Sequence, residues 1–280
     1  MQRSNPRPVS TRLAGTLLLC GALCALPVSD ALAQRTKSSQ AAGEQRKAEQ
    51  GLKDNRYYFY FINSSITNFG SEQEKALFRK AVQYDILAQI LFMRFEFRSS
   101  YIEIRKSQKI LIDLFGITLT RDLSTSKKLL DEFAPQAVNS KDNRSKTYLW
   151  MGYRDQKTAE INQLIGDNTT VTLYSMRLYQ YSKAIKLAKH ARRYALLSKV
   201  EHQITPDQQR YTKNLSYDDI DARLARIPSS DRIDYYRRVH MDNYYRVANN
   251  RSLYDEVWDN PSLKELDEYS TYFSKSARQD

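Results

Sequence analysis

Apolar residues recur at the helical interval over most of the chain, and no run of any length alternates in the manner of a strand. The longest unbroken pattern covers residues 72–115, which contain neither Gly nor Pro. Ser71 and Glu74 stand at capping-box spacing before it, and Gly116 follows where a C-terminal cap belongs. The pattern predicts one helix of 44 residues, about 66 Å long. Its middle, residues 86–97, is apolar almost all round, as expected of a buried helix. Arg94, Glu96 and Arg98 argue against a membrane span there.

Further helices follow from the same signals. A short one is predicted over residues 124–133, ending at Pro135, and a long one over 144–165, stopped by Gly166. Asn168, Thr169 and Thr170 cap a third long helix over 171–203. Pro206 in a first turn, Ser216 with Pro228, Ser230 and Pro261 mark later boundaries, with a long helix over 231–250 and a last one over 262–277. Helices well above the usual 11 to 12 residues pack as antiparallel hairpins. The expected fold is therefore all-α, an elongated bundle of long antiparallel helices. No repeat near 34 residues aligns along the chain, although residues 174–187 have the texture of a tetratricopeptide helix.

The N-terminus breaks this pattern. Arg3, Arg7 and Arg12 precede an apolar stretch over residues 17–26, then Pro27 and Ala31-Leu32-Ala33 before Gln34. That is the layout of a cleavable signal peptide, residues 1–33, with an apolar segment too short to cross a bilayer. Leu precedes both Cys20 and Cys24, which argues against a lipoprotein site. Residues 34–54 are polar and read as a flexible lead-in or weakly helical arm, leaving 55–280 as one helical domain. Cleavage removes both cysteines, so neither disulfides nor thiolate metal sites are expected. The formal charge is +12; losing three Arg and one Asp leaves +10. A basic exported surface suits an acidic protein, a polyanionic wall or lipid head groups, and export disfavours nucleic acid.

Chemistry is hard to place. His190, His202 and His240 are far apart, and no HExxH, phosphate loop, dinucleotide fingerprint or nucleophile elbow occurs. Asp218, Asp219 and Asp221, and Asp255 with Glu256, point around their helices rather than converge. No enzymatic activity, cofactor or metal is expected. Lys183, Lys186, Lys189, His190, Arg192 and Arg193 make a basic cluster, in which Lys186, Lys189 and Arg193 follow the spacing of one helix face.

Tyrosine is the unusual signal: 20 against 10 Phe and 2 Trp. Tyr keeps an apolar ring and a hydroxyl that needs a partner, which suits half-wet interfaces. Tyr235, Tyr236 and Arg237, then Tyr244, Tyr245 and Arg246, are nine residues apart and point to opposite sides of a helix. Either the helix is sandwiched or one set faces a partner.

Tyr57-Tyr58-Phe59-Tyr60-Phe61, residues 81–87 and residues 173–179, together with the signal peptide and the long helices, resemble the flagellar-coiling proteins of Leptospira-type spirochaetes. The resemblance implies a periplasmic, non-enzymatic sheath protein of the flagellar filament. Its partners would be the filament core and other sheath proteins, bound through Tyr/Arg-rich helical surfaces. The alternatives are a tetratricopeptide-like periplasmic adaptor for an envelope protein or peptide, and a wall-acting enzyme with carboxylates assembled across helices.

Overall fold

A computed structural model describes residues 28–203 and 251–273. The chain divides into two units, residues 1–43 and 44–280; of the first, only helix from Val28 onward is described. The described residues are all-α. Five long helices, α1 (Val28–Phe69), α2 (Glu72–Met93), α3 (Phe97–Asn139), α4 (Asn143–Asn168) and α5 (Tyr174–Gln203), are followed by α6 (Leu253–Asp259), a 3₁₀ turn at Leu263–Glu265 and α7 (Asp267–Phe273).

Within the second unit, successive long helices run antiparallel. Asn55 meets Asp85 and Phe59 meets Phe78 between α1 and α2. The Ser100 hydroxyl donates to the Ala88 carbonyl, and Ser107 to Ala81, between α2 and α3. Ser145 meets Ser198, and Gly166 meets Tyr181, between α4 and α5. Helix α3 touches all the other long helices, and α5 lies parallel to it: the Arg105 guanidinium is 3.8 Å from the Tyr174 ring centroid and Arg192 is 3.7 Å from Asp122. The main core gathers Phe59, Ile62, Phe78, Leu111, Leu114 and Phe115, all at most 1% exposed.

Five predicted boundaries are corrected. The 44-residue helix is two helices, broken at Arg94–Glu96. There the Glu96 N–H donates to the Leu91 carbonyl and the Phe95 N–H to Phe92, both at 3.0 Å, the two bonds of a Schellman motif. Phe95 takes the left-handed position at φ 63° that glycine usually holds, so composition gave no warning. Gly116 is not a cap but an interior residue of α3, and a Cβ there would meet open space. Pro135 does not end α3, which continues to Asn139; the missing N–H frees only the carbonyl of exposed Asp131. Gly166 lies inside α4. Of the two readings of residues 34–54, a flexible lead-in or a helical arm, α1 takes the helical one. The predicted last helix is a 3₁₀ turn and the short α7. The predicted helices over 204–250 lie outside the described residues.

At Ser71 the side chain caps the Glu74 N–H at 3.2 Å, whereas the Glu74 carboxylate binds Arg121 instead of closing a capping box. Asp255 does close one, with Ser252, which accounts for an acidic residue singled out from the sequence.

Two glycines of α4 are places of close approach. A Cβ on Gly152 would lie 2.5 Å from Leu130 Cδ2, 3.3 Å from the Ala191 carbonyl oxygen and 3.4 Å from Tyr194 Cβ, so α3 and α5 both press on it. Gly152→Val is expected to lower stability by about 1–3 kcal/mol despite its lower backbone entropy in the unfolded chain, because the clash with Ala191 is with backbone. Urea unfolding of the variant against Gly116→Val, where space is open, checks this.

Candidate binding surface

Helix α1 divides its aromatic run by the helical period. Tyr58, Phe59, Phe61 and Ile62 point inward against α2, α3 and α5. Lys53, Arg56, Tyr57 and Tyr60, at i, i+3, i+4 and i+7, form an outward row. Tyr57 is 47% exposed and Tyr60 55%. Arg56 is exposed and has no hydrogen-bond or ion-pair partner among the described residues. Lys53 holds only Glu49, an exposed i, i+4 pair at 2.7 Å worth a few tenths of a kcal/mol.

Two elements flank the row. On one side is α5, fastened to α1 where the Tyr58 hydroxyl donates to the Ser175 carbonyl at 2.9 Å. Lys186 Nζ donates to the Tyr57 hydroxyl at 3.1 Å and sits 5.8 Å from that ring centroid. Lys183 lies 5.5 Å from the centroid of exposed Tyr179. On the other side is α6, docked by Leu253 N–H to Thr67 Oγ1 at 3.2 Å and Tyr254 N–H to Asn63 Oδ1 at 3.4 Å. The Tyr254 ring packs on Phe59 and Tyr60, both at 5.6 Å, and on Trp258 at 6.0 Å.

Between α1, α2 and α6 this leaves a groove of about 520 Å³. Its walls are Leu52, Phe92, Met93, Tyr60, Tyr254 and Trp258; Lys53 and Arg56 also line it, as does Asp255, whose carboxylate is taken up by the Ser252 capping box. Exposed aromatic rings beside guanidinium and ammonium groups make a surface suited to carboxylates carried next to apolar side chains. Beneath it lies buried Asp85, whose carboxylate accepts from Asn55 at 2.7 Å and from Gln89, a groove residue, at 2.8 Å. Burial pushes the Asp85 carboxyl up to about 6, against the pull of these two hydrogen bonds.

The predicted basic face of α5 is not one solvated surface. Lys186 is exposed and belongs to the Tyr57 patch. Lys189 is half-buried, 3.5 Å from Ser65 Oγ and 5.8 Å from the Phe61 ring centroid. Burial pulls its ammonium down to about 8; Asp122 opposes the shift and Arg192 and Arg121 add to it. Arg193 is half-buried as well, and Arg192 is buried against Asp122. His190 stands 3.9 Å from Asp155, its pKa lowered by burial. Tyr235, Tyr236, Arg237, Tyr244, Tyr245, Arg246 and His240 lie outside the described residues.

Sequence reasoning missed Lys53, Arg56, Tyr57, Tyr60, Tyr254 and Trp258. The i, i+3, i+4, i+7 spacing of the first four was present, but a polar segment running into an aromatic one reads as a linker meeting a core. Among the described residues no group of three or more His, Cys, Asp or Glu could hold a metal, and no helix is long and apolar enough to cross a membrane.

No curated protein and no solved structure matches the chain. Over residues 42–272, which span the folded helices and both flanks of the groove, it matches the family described as surface protein adhesin OmpL37. The chain belongs to that family, and is accordingly an exported protein of the cell envelope.

Proposed function

We propose that the protein is a non-enzymatic adhesin that grips acidic protein partners with the outward face of α1 and its flanks on α5 and α6. The observation that carries this reading is the row Lys53, Arg56, Tyr57 and Tyr60, basic and tyrosine side chains held outward over an aromatic groove. Tyr, Trp and Arg are the residue types that dominate binding energy at protein interfaces. Arg56 needs no internal bond broken before it meets a carboxylate. The basic net charge adds long-range attraction for an acidic partner. Family membership supports a surface protein whose work is attachment.

The test is binding of the purified protein to immobilised acidic and basic extracellular proteins. Acidic ones should bind, and binding should weaken as salt rises. Arg56→Ala and Tyr60→Ala should each weaken binding by about 2 kcal/mol, roughly 30-fold, with unchanged thermal unfolding. Lys128→Ala, on the exposed side of α3, should leave it unaltered. Equal binding by all four proteins would remove this surface from the reading.

A second reading follows the flagellar-coiling resemblance: a periplasmic sheath protein contacting the filament core through the same tyrosine-and-basic surface. Location separates the two. An adhesin is cleaved by protease added to intact cells, whereas a periplasmic sheath protein is protected until the outer membrane is opened. N-terminal sequencing of the same material, expected to begin at Gln34, tests the signal peptide.

A further inference from the structure

Helix α4 is inside out. A bundle helix normally turns its apolar stripe to the core and its polar face to water. In α4 the inward residues include Ser145, Gly152, Gln156, Ala159, Asn162 and Gly166, small or polar, with Leu149 the one large aliphatic side chain among the buried positions. The outward residues include Trp150, Tyr153, Ile161, Leu164 and Ile165, with Trp150 63% and Leu164 61% exposed.

The inner face shows that this orientation is fixed. The Ser145 hydroxyl donates to the Ser198 carbonyl and the Ser198 hydroxyl to the Ser145 carbonyl, each at 2.8 Å. Gln156 bonds the Ser126 hydroxyl and the Leu123 carbonyl. Gly152 and Gly166 leave no room for a side chain against Leu130 and Tyr181. Rotating α4 to bury its apolar row would break these bonds and bury Arg154 and Lys157. The row from Trp150 to Ile165, about 22 Å long, therefore faces outward by construction and requires a cover.

Charge along the row says which cover fits. The N-terminal half carries Lys146, Arg154 and Lys157 beside Trp150 and Tyr153. The C-terminal half carries Glu160 and Asp167 beside Ile161, Leu164 and Ile165. Such a row complements itself when reversed. With a two-fold axis between Lys157 and Glu160, the aromatic half of one helix covers the aliphatic half of the other. Lys157 Nζ holds Glu160 of its own helix at 3.1 Å, an exposed pair worth little, and in the dimer each Lys157 is shared with Glu160 of the second copy. This is the isologous geometry of a two-fold dimer. An anionic bilayer fits less well, because the acidic groups flank the most apolar half. We infer that the protein forms a homodimer by antiparallel pairing of α4 with α4 of a second copy.

Sedimentation equilibrium of the purified protein tests this. The wild type should be a dimer in the micromolar range. Leu164→Glu and Lys157→Glu should each raise the dissociation constant roughly tenfold or more. Glu160→Lys should act likewise, and mixing the Lys157→Glu and Glu160→Lys proteins should restore a dimer, because only pairing between copies then brings opposite charges together. Circular dichroism melting establishes that Leu164→Glu is folded; should it unfold, the mixture of the two charge variants decides the matter. A monomeric wild type, or a dimer indifferent to these changes, overturns the inference. So does a monomer that binds phosphatidylglycerol vesicles through this row, as shown by loss of that binding in Leu164→Glu.

Discussion

Phe115→Ala is expected to cost about 3–5 kcal/mol of folding stability. Phe115 is fully buried where α3 meets α1, stacked on Phe61 at a centroid distance of 5.5 Å and edge-on to Tyr58 at 5.8 Å. Truncation removes the ring and leaves a cavity that cannot close. Tyr58 is held by its bond to Ser175, and Phe61 is wedged between Phe115 and the Lys186 and Lys189 side chains. A loss of this size lowers the melting temperature by roughly 10 °C in a chain of this length. Ile117→Ala, two residues on and 41% exposed, should change stability by no more than about 0.5 kcal/mol. Urea unfolding of both variants checks the pair. The Phe115 cavity also underlies the Tyr57–Lys186 patch, so binding through the α5 flank should weaken at temperatures where the variant is still folded.

Asp85→Asn is expected to stabilise the protein above pH 6, and the gain should vanish in acid. Burial raises the folded-state pKa of Asp85 from 3.8 to about 6. The folded state therefore favours the neutral acid. Its contribution is fully present below about pH 4, is lost as the pH rises through about 6, and remains lost at neutral pH. By linkage the penalty at pH 7 is on the order of 3 kcal/mol. An amide at this position never ionises. Its hydrogen bonds can be kept if Gln89, half-exposed at the groove, turns its side-chain amide so that its oxygen accepts and its nitrogen meets water. Between pH 4 and pH 8 the melting temperature of the variant should rise relative to that of the wild type, with the two curves meeting at the acid end; the shifted groups that both proteins share, Lys189 and His190 among them, cancel in this difference. Parallel curves would mean that Asp85 does not titrate with folding.

Much of the fold was legible because its signals are local. The helical period persists wherever apolar residues recur, Ser71 announces the start of α2, and the limits of α4 and α5 fall within a few residues of those predicted. The breaks were less legible. At Phe95 a residue with no intrinsic preference for the left-handed region closes a Schellman motif, whereas Gly116 and Pro135, which carry the usual signals of interruption, sit inside α3. Neighbouring helices decide such cases: α3 is held along its length by α1, α2, α4 and α5, and that packing outweighs a propensity cost of about 1 kcal/mol for glycine.

The binding surface shows the same division. The all-α class, the basic charge, the wealth of tyrosine and the spacing of Lys53, Arg56, Tyr57 and Tyr60 can be read from the chain alone, since each is a property of composition or of a single helix. That these four face outward while Tyr58, Phe59, Phe61 and Ile62 do not is set by the packing of the bundle, because which side of α1 is buried depends on where α2, α3 and α5 lie. The same packing turns Leu164 of α4 to water and Ser145 to the core. Hydrophobicity ranks the two residues the other way, but reciprocal hydroxyl–carbonyl bonds and glycine contacts need a partner helix at close range, and periodicity along one helix cannot register them.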